Sequence, residues 1–235
     1  MTRPPGMSST AVPRGVRTYK PRRSRIRARE AAALAGDSPF LLPITPERLD
    51  LVAVWGPGVP VVAEIGFGTG AATARMAKDD PATGILAIDV HTPGVGDLLW
   101  RISRDGLTNV RVVEADALAV LEYMVPPASL AGVRSFFPDP WPKTRHHKRR
   151  LVQAGVLDLA ASRLVADGWW HLVTDWVEYA EWIQEAFAAS AGWAGGVVDR
   201  PASRPVTRYE ARALREDRTI TDLVFTTDAS GPQQA

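Results

Sequence analysis

The hydrophobic and polar positions of the chain follow two periods, one typical of buried strands and one typical of helices. Seven short apolar runs predict β-strands, at residues 61–65, 85–88, 110–113, 133–137, 169–173, 196–198 and 219–225. Helical spacing predicts intervening helices, at residues 71–78, 97–104, 118–123, 151–164 and 178–189. Strands that alternate with helices indicate an α/β fold, with a doubly wound, mostly parallel seven-stranded sheet and helices on both faces.

The two ends of the chain depart from this pattern. We expect residues 1–35 to be a basic, partly disordered arm, because residues 1–16 are rich in Pro, Gly, Ser and Thr. Residues 17–34 within the arm and residues 47–54 after it predict helices. Residues 36–227 predict the α/β domain, and residues 228–235 predict a disordered tail. A chain of 235 residues is long enough for one such domain with a substantial core.

Charge is unevenly distributed along the chain. Residues 1–29 hold nine of the 28 Lys and Arg residues and no acid, which leaves 19 basic against 26 acidic side chains elsewhere. Clustered cations favour a polyanionic partner, because binding to phosphates releases counterions. A solubilising tail is the alternative interpretation of this arm.

Composition excludes several kinds of site. The chain has no cysteine, which excludes disulfides and thiolate metal sites, and its four histidines show no metal-ligand spacing. The basic N-terminus has no apolar region typical of a secretory signal, and no apolar run is long enough to span a membrane. We therefore expect a cytoplasmic protein that is a monomer or a homodimer, with no membrane partner, no metal and no obligate protein partner.

A glycine-rich turn follows the first predicted strand, in the sequence EIGFGTGA from Glu64 to Ala71. Glycine residues at Gly66, Gly68 and Gly70 allow a tight turn and close approach of a ligand to the backbone. Because Gly66, Gly68 and Ala71 satisfy the dinucleotide fingerprint, the turn alone leaves a nicotinamide or flavin enzyme open.

Three acids lie at the ends of the first three predicted strands. Glu64 directly precedes the glycines, where its charge suits a cationic cofactor better than a pyrophosphate. Asp89 is placed to accept hydrogen bonds from a ribose diol, and Asp116 from an adenine amino group. The alternative for each is helix capping.

The most specific motif is FFPDPWPKTRHHKRRL at residues 136–151. Its three prolines hold Asp139 at a strand end with little conformational freedom. Trp141 offers a face on which a base could stack, with a role as a core anchor as the alternative. Residues Lys143 to Arg150 include five Lys or Arg, two His and no acid, which indicates a phosphate-binding strip or a solvated helix start.

This motif, together with HTPGVG at 91–96, TDW at 174–176 and PVTRYE at 205–210, resembles the bacterial tRNA (guanine-N7)-methyltransferase family over roughly residues 60–225. The resemblance implies a Rossmann-like fold and methyl transfer from S-adenosylmethionine. It implies a guanine N7 acceptor in tRNA, at position 46 of the variable loop, and 7-methylguanosine as the product.

The resemblance also implies roles for individual residues. Asp139 is implied to be catalytic. The implied adenosylmethionine-binding residues are Glu64, Gly66, Gly68, Gly70, Asp89, Asp116 and Asp139. The implied substrate-binding residues are Lys143, Asp175, Thr207, Arg208, Tyr209 and Glu210. Guanine N7 carries a lone pair and no proton, so positioning and charge stabilisation suffice without a general base.

Two departures from the family and two alternative functions accompany this interpretation. Asp89 stands where the family usually has Glu, and the basic arm does not closely match the family. A non-catalytic RNA-binding protein would explain the basic segments but not the four acids. An adenosylmethionine-dependent amino-methyltransferase acting on another substrate is the second alternative. Some of these enzymes carry an acid-Pro-Pro-aromatic loop after the fourth strand, whereas here the second proline follows the aromatic residue.

Deletion of residues 1–29 is expected to weaken tRNA binding and to flatten its salt dependence, because fewer counterions are released. Adenosylmethionine affinity should change little. Binding titrations over a range of salt concentrations check this, and an unchanged tRNA affinity and salt slope would refute it.

Overall fold

The computed structural model describes residues 17–19 and 25–228, and all structural statements concern these residues. Residues 1–16 and 229–235, where the sequence predicts disorder, lie outside the described residues. The part of the basic arm that is described comprises residues 17–19 and 25–35.

Eight strands form one sheet in the order β1-β4-β3-β2-β5-β6-β8-β7. The strands are β1 Leu41–Leu42, β2 Val61–Ile65, β3 Gly84–Asp89, β4 Val110–Glu114, β5 Leu130–Phe136, β6 Leu164–Thr174, β7 Trp193–Val198 and β8 Thr221–Thr227. Every pairing is parallel except those of β8, which runs antiparallel to β6 and β7. The predicted α/β sheet is confirmed, but the predicted number of seven strands was wrong. The two-residue β1, too short to carry a periodic signal, adds an eighth at the edge.

The described residues also form eight α-helices. They are α1 Ala28–Ala35, α2 Leu51–Trp55, α3 Ala71–Asp79, α4 Thr92–Asp105, α5 Ala117–Ala119, α6 Ala154–Arg163, α7 Val177–Ala188 and α8 Arg208–Arg215. A π-helical turn, Val120–Met124, continues α5, and a 3-10 turn spans Thr144–Arg149.

The sheet is buried on both faces. Along β3, Leu86 and Ile88 pack into the core that contains residues of α6 and α7, whereas Ile85 and Ala87 pack into the core with α3 and α4. Successive side chains of a strand point to opposite faces, so a strand that is covered on both faces favours apolar residues at nearly every position. This explains the continuous apolar runs in the sequence.

Three predicted helices begin later in the structure. The helix predicted over 17–34 begins only at Ala28, since residues 17–19 and 25–27 are not helical and residues 20–24 are outside the described part. The helix predicted over 47–54 begins at Leu51, where the Asp50 carboxylate accepts a hydrogen bond from the Ala53 amide. The helix predicted over 151–164 begins at Ala154, because the preceding residues form a 3-10 turn and a bend.

Helix α8 was missed in the sequence, although a local signal marks its start. Thr207 and Glu210 form a capping box, in which the Thr207 hydroxyl accepts from the Glu210 amide and the Glu210 carboxylate accepts from the Thr207 amide. The Thr-x-x-Glu spacing is therefore a helix-start signal, in addition to being part of the motif to which the resemblance assigns substrate binding.

Helix α4 packs its first turn directly on the glycine turn that follows β2. A Cβ added at Gly94 would lie 1.9 Å from the Gly68 carbonyl oxygen, a distance that no side chain could tolerate. Gly155, also in the first turn of a helix, has open space at the equivalent position. The absence of a side chain at Gly94 therefore sets how closely α4 approaches the turn.

Gly94→Ala is expected to lower the free energy of unfolding by about 1–3 kcal/mol, because the helix must move away from the turn. Gly155→Ala is the matched control, and we expect it to be neutral or to stabilise by about 0.4–1 kcal/mol. Urea denaturation of both variants checks this. Equal stabilities of the two variants would contradict the packing argument.

Candidate active site

The candidate site lies at the carboxyl edge of the sheet, between β2 and β5. The chain leaves β2 toward β3 and β4 on one side, then crosses back to β5 on the other side of β2. Ligands of open α/β sheets bind at such a switch point, because the connections after the two central strands diverge there. The glycine turn follows β2, and the proline-rich loop at 137–142 follows β5.

Three glycines of the turn adopt backbone conformations that side chains disfavour. Their φ angles are +77° at Gly66, +64° at Gly68 and +67° at Gly70. A Cβ at Gly70 would collide with Leu98 of α4, at 2.6 Å, whereas no atom lies within 4 Å of the position at Gly66. Gly70 thus serves the packing of α4, and Gly66 leaves room for a ligand to approach the backbone.

Asp89 ties the end of β3 to the glycine turn. Its two carboxylate oxygens accept hydrogen bonds from the Gly68 amide, at 2.8 Å, and the His91 amide, at 3.0 Å. Burial raises the pKa of Asp89, and these two hydrogen bonds oppose the rise. Each oxygen keeps a further lone pair, so the carboxylate can still accept hydrogen bonds from a ribose.

Glu64 is a buried acid with an unsatisfied oxygen. The residue is only 3% exposed, and its Oε2 atom meets no donor in good hydrogen-bond geometry among the described residues. Burial raises the pKa of Glu64 to about 7, although the neighbouring Arg134 guanidinium and, to a smaller extent, the Thr73 hydroxyl lower it. A buried acceptor without a partner requires an explanation, and a cationic group of a ligand would supply one.

Asp116 has the capping role that the sequence left as the alternative. Its carboxylate accepts from the Leu118 amide at 2.9 Å, at the start of α5. One carboxylate oxygen is used in this way, so the second stays compatible with an adenine amino donor. The three acids lie at the ends of the adjacent strands β2, β3 and β4.

The loop after β5 holds Asp139 between two strained residues. Phe137 and Trp141 have φ angles of +54° and +45°, in the left-handed region that bulky side chains avoid. Such a conformation costs about 1–3 kcal/mol per residue and persists only where the surroundings impose it. Here the Phe137 amide donates to the Val173 carbonyl at 2.8 Å, and Arg150 Nε donates to the Pro140 carbonyl at 3.0 Å.

Trp141 connects this loop to the basic segments. Its indole Nε1 donates to the carbonyl of Thr18 in the arm at 3.2 Å, and the Arg149 guanidinium lies 5.0 Å from the ring centroid. The His146 ring contacts it edge-on at 5.7 Å. Stacking of a base on Trp141 stays a prediction, but the tryptophan already joins the arm to the strip.

The basic strip is smaller than the sequence indicated. Its exposed cations are Lys143, Arg145, Lys148 and Arg149. Arg150 was wrongly included, since it is only 1% exposed, donates to Glu178 at 2.8 Å and lies 4.8 Å over the Trp182 ring. The Trp182 ring and the Glu178 carboxylate, both on α7, compensate for the burial of Arg150. Arg150 supports the Asp139 loop through its hydrogen bond to the Pro140 carbonyl.

The segment from Thr207 to Glu210 contains two buried residues with a structural role and two exposed residues. Thr207 and Glu210 are buried in the capping box of α8, whereas Arg208 and Tyr209 are exposed. The Tyr209 ring lies 3.8 Å from the Cβ position of Gly68 and stacks on Phe137, with ring centroids 6.2 Å apart. Helix α8 thus places Tyr209 across the crevice between the glycine turn and the Asp139 loop.

Asp175, which follows β6, forms an ion pair with Arg218 and is largely buried. This contact fixes the loop after β6 against the segment that leads into β8. The carboxylate therefore has a protein partner, and any contact with substrate would add to it.

Several residues of the site were not identified in the sequence. Glu178 and Trp182 hold Arg150, whereas Arg204, His171 and Asp222 lie behind α8. No local signal joins His171 to Asp222, which are 51 positions apart.

The described residues contain no group of three or more His, Asp or Glu residues that could hold a metal ion. None of the helices in residues 25–228 is both long and apolar enough to cross a membrane.

Comparison with solved structures supports the fold. An antibiotic-resistance methyltransferase, Kmr, is 19% identical with a TM-score of 0.56, covering 80% of this chain and 96% of its own. The 16S rRNA methyltransferase KamB is 16% identical with a TM-score of 0.58, covering 77% and 95%. At these identities the likeness shows a shared fold and no more.

Comparison with protein families and curated relatives is more specific. A family model described as "Putative methyltransferase" matches residues 59–223. The tRNA (guanine-N(7)-)-methyltransferase of Streptomyces avermitilis is 49% identical over 218 residues, which are 90% of this chain and 75% of that protein. The enzyme of the same name from Thiobacillus denitrificans is 47% identical over 214 residues, 89% of this chain and 94% of its own. The resemblance carried by residues 136–151 is confirmed, and the chain belongs to the tRNA (guanine-N7)-methyltransferase family.

Proposed function

We propose that this protein transfers a methyl group from S-adenosylmethionine to N7 of a guanosine in tRNA, giving 7-methylguanosine. The position of Asp139 in the chain supports this proposal most directly. A loop strained at Phe137 and Trp141 carries Asp139 at the switch point, just after β5, and the basic strip follows directly in the chain. We further propose position 46 of the variable loop as the target, as the family resemblance implies.

The cofactor contacts follow from the acids at the strand ends. The unsatisfied Glu64 Oε2 fits a cationic group, and the open backbone at Gly66 fits close approach of the cofactor. Asp89 would accept from the ribose hydroxyls and Asp116 from the adenine amino group. When bound, adenosylmethionine supplies an electrophilic methyl group on its sulfonium. With Gly68, Gly70 and Asp139 these residues complete the proposed set.

The acceptor base needs orientation more than proton transfer. Guanine N7 attacks with its lone pair, and the positive charge that develops on the base makes its N1–H and N2–H stronger donors. Asp139 would accept from both donors and stabilise that charge, with N7 left facing the methyl group. Because the strained loop fixes the carboxylate beforehand, little reorganisation is required during the reaction.

The tRNA contacts extend from the crevice to the basic surface. Lys143 and the exposed cations of the strip would bind phosphates near the target, and the arm reaches them through the Trp141–Thr18 contact. Tyr209 faces the crevice from α8, and the exposed Arg208 beside it would bind the substrate. Asp175, Thr207 and Glu210, which have protein partners, would serve the substrate mainly by fixing the loops that border it.

The decisive assay incubates purified protein with labelled adenosylmethionine and unmodified bulk tRNA. Mass spectrometry of the digested nucleosides identifies the product, and analysis of nuclease fragments locates it. We expect 7-methylguanosine in variable-loop fragments. Binding of tRNA without any methylated nucleoside would indicate a non-catalytic RNA-binding protein, and methylation of an amino group would indicate the other alternative.

Asp139→Asn is expected to lower kcat/KM for tRNA by about 10²-fold or more, because the amide cannot stabilise the developing charge. Asp158→Asn, an exposed acid on α6, is the matched control and should keep wild-type kinetics. Steady-state methylation assays decide this. Near-normal turnover of Asp139→Asn would remove Asp139 from the catalytic role.

The pKa of Glu64 predicts a pH dependence of cofactor binding. In the ligand-free protein this pKa is raised to about 7, so the carboxyl is protonated below that pH and ionised above it. A cationic cofactor binds the ionised form, and its affinity is therefore expected to rise with pH and to level off above about pH 7. Glu64→Gln should lose this dependence. Calorimetric titrations from acidic to neutral pH measure it, and a flat profile in the wild type would contradict the contact.

A further inference from the structure

A cluster of four buried charged or titratable side chains lies behind α8. Arg204 donates to both oxygens of Glu210, at 2.5 and 3.0 Å, and to Asp222 at 2.9 Å. The second oxygen of Asp222 is hydrogen-bonded to His171 Nε2 at 2.8 Å. Exposure is 2% for Arg204, 2% for Glu210, 4% for Asp222 and 7% for His171. We call these four residues the α8 network.

The α8 network joins α8, two strands and the loop ahead of α8. Glu210 belongs to α8, Asp222 to β8 and His171 to β6, while Arg204 lies in the loop ahead of α8. His171 also contacts the Phe136 ring edge-on, with centroids 5.1 Å apart. The network therefore reaches both supports of Tyr209, which are α8 itself and the end of β5.

Apolar contacts alone hold α8 poorly. Of its eight residues only Glu210 and Ala213 are buried, and Leu214 is 56% exposed. A helix that buries one alanine side chain gains little from the hydrophobic effect. The ion pairs of the α8 network are therefore its principal anchor to the sheet.

The electrostatics of the α8 network favour one geometry. Burial alone would raise the pKa of Asp222, but the hydrogen bonds from His171 and Arg204 outweigh it and hold the pKa below its ordinary value. Asp222 therefore stays ionised and fixes the Arg204 guanidinium, which in turn clamps both oxygens of Glu210. A buried ion network adds little net stability compared with apolar packing, but it specifies orientation.

We infer that Arg204, Asp222 and His171 are positioning residues for methyl transfer. They hold α8 so that Tyr209 stays between Gly68 and Phe137, and this places the tRNA guanine relative to the methyl donor. They act on the crevice through Glu210, which Arg204 clamps, and through Phe136, which His171 contacts. The inference rests on the proposed function of the site, and in particular on a substrate role for Tyr209.

A double-mutant cycle tests whether the network acts through Tyr209. Asp222→Asn, nearly isosteric, is combined with Tyr209→Ala, and kcat/KM for tRNA is measured in all four proteins. Asp222→Asn should reduce kcat/KM at least tenfold when Tyr209 is present and less than twofold when it is absent. A purely structural role predicts equal effects in both backgrounds, and that result would overturn the inference.

Arg212→Gln is the matched control on the same helix, since it removes the exposed ion pair with Glu216. It should leave kcat/KM within twofold of the wild type. His171→Gln provides a milder second variant if Asp222→Asn folds poorly, and adenosylmethionine binding measured by calorimetry reports the folded fraction. A His171→Gln protein that is fully folded and fully active would also count against the inference.

Hydrogen exchange separates this inference from the proposed function. In Asp222→Asn the α8 amides should exchange at least tenfold faster, while the amides of α7 keep wild-type rates. Unchanged α8 exchange refutes positioning by the network, whatever the activity. If the wild type forms no 7-methylguanosine, the proposed function is wrong, and so is the part of the inference that concerns methyl transfer. The exchange result still decides whether the network holds α8.

Discussion

The parallel pairing of β2 with β5 is the constraint on which the site depends. Val62, Ala63 and Glu64 of β2 lie opposite Gly132, Val133 and Arg134 of β5. The chain reaches β5 only after it has built β3 and β4 on the far side of β2, so the connections that follow β2 and β5 run in opposite directions. The crevice between them follows from this order. The glycine turn forms one wall and the proline-rich loop forms the other. Helix α4 packs against the glycine turn, and Tyr209 of α8 contacts both walls.

Charge is segregated around this crevice. Carboxylates lie at the strand ends inside it, and one of them, Glu64, is buried so deeply that its pKa rises to about 7. Exposed cations lie outside it, on the 3-10 turn Thr144–Arg149. Under the proposed function, a small cationic cofactor and a large polyanion would be drawn to different parts of one site. The separation would also keep the strip cations from neutralising the acids proposed to bind the cofactor.

Some residues at the site have unfavourable backbone conformations or are buried charges, and contacts with neighbouring residues compensate for them. Two bulky residues, Phe137 and Trp141, take left-handed backbone conformations on either side of Asp139. Arg150 is almost fully buried to hold that loop, within a cage of Tyr179 and Trp182 and with Glu178 as its counter-charge. Such unfavourable conformations are typical of functional sites, where geometry matters more than stability, and they fit the proposed role of Asp139.

The sequence by itself determined seven of the eight strands, most helices, the glycine turn and the motif at 136–151, because periodicity and turn chemistry are local properties. It also placed the acids correctly at strand ends. Tertiary structure alone decided that Arg150 is buried while Arg149 is exposed, although the two are adjacent in the chain. It likewise decided that Tyr209 lies on Gly68 and that His171 binds Asp222 across 51 positions. Those partnerships depend on strand order and register, and a linear pattern contains neither.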